Sequence, residues 1–335
     1  MIQLFSDWLG LAQGWLFETV IQPLVFQLGF GEFIEEAFEG TEWLLIGVLE
    51  LTLLFLVLRP LEAMIPVHKF TDPRARWNDF IYTVLHRIGL FSVLIFFTLD
   101  PLLDSVAAML RFESFQPFNL EALWPAQWSP LSPLGAFLVY FVVLDFFDYW
   151  YHRASHHFNW WWALHGLHHS QQNMNLWSDN RNHLLDDLIR DVYMGVLALG
   201  IGVEPSQYVM LVSVSRILQS LQHANVRIHF GKVGEWLLVS PRYHRMHHAI
   251  GVGHESNGQG TLGGCNFAVL LPIWDIIFRT ANFTPQFVAT GIRDQLPRTE
   301  AGGAVKPGRE YGRGFFSQHW LALKRMVEYA RKDTV

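Results

Sequence analysis

The sequence predicts an all-α fold, a polytopic membrane helical bundle of about four to five membrane-embedded helices under a cytoplasmic histidine-rich cap. Three observations carry that prediction. Of 335 residues, 51% are hydrophobic and only 16% charged, against roughly 25% charged in a soluble domain, and the mean hydropathy is positive. Apolar runs of helical length recur along the chain. Eight histidines fall into three tight groups, spelled HRASH (His152, His156), HGLHH (His165, His168, His169) and HRMHH (His244, His247, His248).

Taken in order, residues 1–40 are apolar but interrupted by Asp7, Gly10, Gly14, Glu18, Pro23, Gly29 and Gly31, and read as an interfacial or weakly inserted helical segment. Residues 43–59 read as a transmembrane helix with Glu50 embedded in it and Pro60 as its end. A second apolar run covers 80–99, with His86 and Arg87 near its start. Pro130 and Pro133 open a third, 134–151, which runs into His152. Residues 188–221 read as a helical hairpin turned at Glu204-Pro205. The stretch 251–264 is a glycine-rich loop, and the chain closes on a basic polar tail with an amphipathic helix over 315–331. Three regions follow: the segment 1–40, a membrane-embedded core over 41–290, and the tail 291–335.

Basic residues set the orientation, because cytoplasmic loops are enriched in Lys and Arg. None occurs before Arg59; loop 60–79 carries Lys69, Arg74 and Arg76; loop 104–131 carries only Arg111; residues 222–335 carry fourteen. An alternating path then puts the N-terminus outside and all three histidine groups on the cytoplasmic side, in a bacterial inner membrane or an endoplasmic reticulum membrane. Lys and Arg form no basic patch, which argues against nucleic acid. The single Cys265 excludes a disulfide framework and a cysteine-held iron–sulfur cluster within the chain. The first residues lack the basic start of a cleavable signal peptide.

Residues three or four apart on a helix share a face, so each histidine group can aim its rings at one point. Eight imidazoles exceed the roughly four ligands of a tetrahedral zinc and suit two metal ions with open positions. Asp145 and Asp148 precede the first group on the same helix. Ionisable groups in a membrane segment are costly and usually functional, so Asp148, one turn before His152, could fix the tautomer of a ligating ring. An ion pair with Arg153 is the plain alternative. Asn180, His183, Asn225, His254, Glu255 and Asn266 are further polar candidates for the pocket or its surroundings. His68, His86 and His319 are set aside as remote from the metals. Tyr149, Trp150 and Trp160 to Trp162 read as interface anchors.

The runs DFFDYWYHRASHH, HGLHHS, QHANVRI, SPRYHRMHHA and PIWDIIFRTANF resemble the sterol desaturase and fatty acid hydroxylase superfamily over roughly residues 75–285. The resemblance implies a non-haem di-iron centre that uses O2 and external electrons to hydroxylate or desaturate a lipid. The implied ligands are His152, His156, His165, His168, His169, His223, His244, His247 and His248. The glycine-rich insert 251–264 and the tail beyond 290 depart from the better-studied sterol and fatty acyl enzymes, which leaves the lipid open.

Imidazole suits iron, zinc and copper alike, and iron is favoured by the resemblance. There is no G-x-G-x-x-G fingerprint after a strand, no phosphate loop and no fused electron carrier, so a separate ferredoxin, cytochrome or reductase is expected. Arg309, Arg313, Lys324, Arg325, Arg331 and Lys332 could receive an acidic donor; attraction to anionic lipid headgroups is the preferred reading. Two rivals from other classes are a membrane metal or proton transporter, whose histidines would line a path through the bilayer, and a non-catalytic metal-binding membrane scaffold.

Overall fold

The computed structural model describes residues 2–89, 109, 118, 120, 133–256, 263–299 and 303–332. The second half of the apolar run 80–99 and all of the loop 104–131 apart from single residues therefore lie outside the described residues, as do residues 257–262 of the glycine-rich loop. The described chain is predominantly helical; its one regular sheet element is a two-residue antiparallel pair, β1 (Arg298–Thr299) with β2 (Val305–Lys306).

The chain forms two compact units, one of residues 1–56 and 84–116, the other of residues 57–83 and 117–335. In the first, α1 (Ile2–Leu16), α2 (Gln22–Gln27) and α3 (Ile34–Leu53) pack together. Phe17 meets Phe38 edge to face at 5.1 Å, and Gln13 donates to the Phe38 carbonyl at 2.9 Å. Glu50 is buried. Arg87 donates to it at 2.6 Å, and both side chains are buried. Pairing removes most of the cost of two charges among apolar helices. Gly47 permits the approach, since a Cβ there would overlap the Arg87 carbonyl.

Pro60 does not end its helix. A π-helical turn at Leu54–Leu58 precedes it, and α4 (Arg59–Met64) continues with Pro60 in its first turn. The wider turn relaxes the hydrogen-bond ladder where the proline lacks an N–H. His86 and Arg87 lie in the last turn of α5 (Pro73–Arg87), so the apolar run 80–99 begins inside that helix. Two described helical stretches are long and apolar enough to cross a membrane, Gly31–Met64 and Leu134–His157.

The second unit holds the clustered histidines. α6 (Pro133–His157) continues the third apolar run straight through His152 and His156. One extended residue, Phe158, separates it from α7 (Asn159–His169), which folds back on α6. α8 (Leu184–Gly200) and α9 (Pro205–His223) form the hairpin with its turn before Pro205. Tyr140 and Leu144 of α6 pack with Ala198 and Leu211 of that hairpin. The short helices α10 (Gly231–Leu237), α11 (Pro241–His247) and α12 (Ile273–Ile277) follow. Ser240 starts α11 by accepting from the Tyr243 N–H, with Pro241 in the first turn.

The tail is not free. α13 (Phe315–Lys332) lies along α7. Arg325 is buried, stacks over Tyr311 at 3.7 Å and donates to the Glu310 carbonyl, so it is unavailable to a partner or a headgroup. Arg309 pairs with Asp294 and Glu328.

Candidate metal centre

The eight clustered histidines and His223 meet in one place, in two groups. His152, His156, His165, His169 and His247 form the first; His168, His223, His244 and His248 form the second. Within each group one nitrogen from every ring lies within 4.8 Å of the others. The groups touch: His169 stacks on His248 with ring centroids 4.3 Å apart.

Helical spacing explains the division. On a shared helical face a residue four on is offset by about 40° one way round the helix and a residue three on by about 60° the other way, so the two diverge. His165 and His169 of α7 therefore serve the first group, while His168 between them turns to the second. The pattern is reversed at α11: His244 and His248 serve the second group and His247 crosses to the first. The two H-x-x-H-H motifs thus interlock, each giving a pair to one group and a single ring to the other. His152 and His156, four apart on α6, complete the first; His223 at the end of α9 completes the second. His229 stays outside, exposed and accepting from the Gly231 N–H.

Outer contacts fix the tautomers. His152 Nδ1 lies 2.8 Å from the Phe267 carbonyl, His247 Nδ1 2.7 Å from that of Cys265, and His156 Nδ1 3.2 Å from that of Gly263. His165 Nδ1 meets Asp186 at 3.0 Å, and His223 Nδ1 meets the Gln219 carbonyl at 2.8 Å. An acceptor at Nδ1 requires the proton there and leaves the Nε2 lone pair aimed inward. Burial, reinforced by neighbouring histidines, holds His168, His169, His244 and His248 far below the ordinary imidazole range; burial alone takes the lead in bringing His247 to about 3. These five rings are therefore neutral at physiological pH, the form that binds metal.

The arrangement fits metal ions on two further counts. His156 Nε2 and His165 Nε2 are buried without a hydrogen-bond partner, and unpaired buried nitrogens are costly. Nε2 atoms also face one another closely: His247 to His169 at 3.1 Å, His223 to His168 at 3.1 Å, His244 to His223 at 3.0 Å and His248 to His244 at 3.1 Å. Nitrogens at about 2.0–2.1 Å from one ion, meeting it at right angles, lie about 3 Å apart.

The other candidates occupy different places. Among the described residues Asp148 hydrogen-bonds no histidine, and its partner is not Arg153: Arg190 donates to it through Nε at 3.0 Å and through a second nitrogen. Asp145 accepts from the backbone of Leu270 and Leu271 and from the Trp274 indole. Asn180 is buried in a short helical turn. His183 caps α8, accepting from the Leu185 N–H. Asn225 holds the backbone of His68. His254 bonds the His156 carbonyl at 2.6 Å and stacks on Trp162. The Glu255 side chain lies outside the described residues. Asn266, with φ of 55°, bonds the Tyr243 and Asn282 carbonyls and no histidine. Tyr149 and Trp162 are buried and are not surface anchors; Trp162 packs against His156 and His169.

Sequence reasoning missed Asp186, which holds His165, Trp161 and Tyr151 together. Its only signal was an acidic pair opening an apolar helix. It also missed Asp275, which is fully buried. That residue accepts from the backbone N–H of Phe267 and Ala268 and from the Tyr243 and Thr280 hydroxyls, and so fixes the segment whose carbonyls brace His152 and His247.

Fold and site together define a helical histidine-cluster protein with two adjoining groups suited to a pair of metal ions. Residues 137–280 match the family model described as fatty acid hydroxylase. The chain is 31% identical over 184 residues to alkylglycerol monooxygenase of Homo sapiens, covering 54% of this chain and 36% of that protein. It is 27% identical over 256 residues to alkylglycerol monooxygenase of Danio rerio, covering 75% and 51%. It is 28% identical over 160 residues to sphingolipid C4-hydroxylase sur2 of Schizosaccharomyces pombe, covering 44% and 53%. The chain thus spans between a third and about half of the length of these relatives. No solved structure matches.

Proposed function

We propose that this chain is a membrane-embedded, O2-dependent di-iron hydroxylase acting on a C–H bond of a lipid. The nine histidines are its metal ligands, five on one ion and four on the other. The observation that carries this reading is the convergence of imidazole nitrogens from four separate helices at the end of α6. Relatives named as lipid monooxygenases and hydroxylases support it. A transporter would string its histidines along a path, whereas these rings are gathered at one end of a candidate span.

When bound, the iron pair supplies O2 reduction and hydrogen abstraction. The balance is R–H plus O2, two electrons and two protons, giving R–OH and water; desaturation shares the first abstraction. The electrons come from a separate donor such as a ferredoxin, cytochrome or reductase. The protein's own part is positional. Asp186 and the carbonyls of Gly263, Cys265 and Phe267 aim the rings. The buried rings of Phe267 and Trp162 pack over His156 and keep water from the reacting centre. We place the protein as a multi-pass bundle of four to five embedded segments with the histidines on the cytoplasmic face, the orientation that basic residues favour.

The test is direct. Purified protein should contain about two iron per chain, and cells expressing it should gain a lipid with one added oxygen in an O2-dependent manner. Full turnover in His168→Ala or His247→Ala would remove the ligand assignment; a chain with no bound iron and no oxidised lipid would remove the enzyme reading.

A further inference from the structure

The reaction proposed above draws two electrons from outside, yet the rings that would receive them are enclosed; His156 and His247 are wholly buried. One run of side chains joins the surface to a ligand. Trp160 is 37% exposed and stacks on Trp161, with ring centroids 5.2 Å apart and planes 16° from parallel. Consecutive residues on a helix do not face one another, so this stack is not a by-product of helical spacing. The Trp161 indole N–H donates to one oxygen of Asp186 at 2.8 Å, and the other oxygen accepts from His165 Nδ1 at 3.0 Å. His165 Nε2 is buried without a hydrogen-bond partner, which leaves it for an ion. Tyr151 steadies the junction: its hydroxyl donates at 2.8 Å to the oxygen that also takes the indole N–H, and its ring meets Trp161 edge to face at 4.7 Å. Trp162 and Phe267 also touch ligands, but both are buried and neither offers an entry from the surface.

We propose that Trp160, Trp161 and Asp186 form the route by which a one-electron carrier protein reduces the metal pair, entering through His165. The inference deepens the oxygenase reading and rests on it. In each of two steps one reduced carrier loses an electron and one ferric ion becomes ferrous. No bond is made or broken, the indole and Nδ1 keep their protons, and the tryptophans couple donor to acceptor without being oxidised themselves. Electronic coupling decays more slowly through ring stacks and hydrogen bonds than across gaps between packed aliphatic groups. One stack, two hydrogen bonds and one imidazole therefore make a short electronic path, and a carboxylate bonded by both indole and imidazole is held in place. The carrier needs little surface: electron-transfer encounters bury less than about 1,200 Å², and Phe158 and Trp160 are both exposed at the bend from α6 into α7.

The experiment injects the electron without a natural partner. The one native cysteine, Cys265, is buried, so His157→Cys, at an exposed position beside Phe158, takes a ruthenium photoreductant alone. A flash then reduces ferric iron in the full-length, iron-loaded protein, anaerobically, in detergent and with no lipid substrate, and the iron absorbance gives the rate. Trp161→Phe, which keeps a ring but loses the N–H, and Trp160→Leu should each slow injection by about tenfold, and Trp161→Leu by up to about 100-fold. Iron content and spectrum should stay as in the labelled protein with both tryptophans. A second label at Lys324→Cys, exposed on α13, bypasses the tryptophans, and its rate should be the same in every variant. An unchanged rate from residue 157 in Trp161→Leu with full iron content overturns the proposal, and so does equal slowing from both labels, the mark of a damaged centre. Trp160 acting only as a membrane anchor would leave injection in detergent unchanged in Trp160→Leu, which also overturns it. Hydroxylation plays no part in the readout, so a protein that binds iron but oxidises no lipid is told apart from one without a tryptophan route, whereas a chain that binds no iron removes both readings.

Discussion

The two histidine groups differ in how they are held. In the five-membered group, four rings are braced from outside, His152, His156 and His247 by backbone carbonyls of residues 263–267 and His165 by Asp186. In the four-membered group, among the described residues, only His223 has such a brace at Nδ1, from Gln219, with Asp179 3.6 Å from the same nitrogen. His168 Nδ1 and His244 Nδ1 are buried without a partner. The first group is thus preorganised by protein, and the second is ordered mainly by what its rings share. Outer contacts commonly change metal affinity by about 10–100-fold, so the two positions should differ in affinity and in lability.

The largest expected effect is loss of a ligand on either side. His247→Ala and His244→Ala should each abolish turnover, with iron content falling by at least one ion per chain in elemental analysis; equal retention of both ions would break the comparison at its root. Next is graded chelation. One iron should leave at low chelator concentration and the second only at higher, and the early loss should be insensitive to substitution of Asp186. A single-phase release would show that the braces make no difference. Third, Asp186→Asn should weaken the tighter site by about 10–100-fold, read as a shift of the second chelation step alone. Fourth, Asp275→Asn should cost about 3 kcal/mol of stability, because it disturbs a buried carboxylate holding four donors; thermal melting checks this, and the tighter iron should become easier to remove. The smallest effect belongs to His183→Ala, which removes an α8 cap worth about 1 kcal/mol and should leave both chelation steps where they were.

The residues of the centre were far more legible than its bracing. Histidine spacing is local: i, i+3 and i+4 define faces on any helix, so HRASH, HGLHH and HRMHH announce convergent rings before any packing is known. Asp148 shows the limit of that logic. It stands one turn from His152, yet its carboxylate points to Arg190 on another helix, because a buried charge takes the strongest partner packing offers. Asp186 lies 21 residues from His165 and reaches it through the turn between α7 and α8. Asp275 acts on the histidines only through a loop it ties down. Pro60 was misleading for a different reason, since a π-turn ahead of a proline lets a helix run on.

By itself the sequence determined the helical class, the apolar stretches and the identity of the converging rings, because hydropathy and helical periodicity are properties of neighbours along the chain. Tertiary structure alone decided which ring serves which group, how the two H-x-x-H-H motifs interlock, and which carboxylates and carbonyls set the tautomers. Those choices depend on the angles at which distant helices pack and on which polar atoms burial leaves in need of a partner, and no local pattern encodes either.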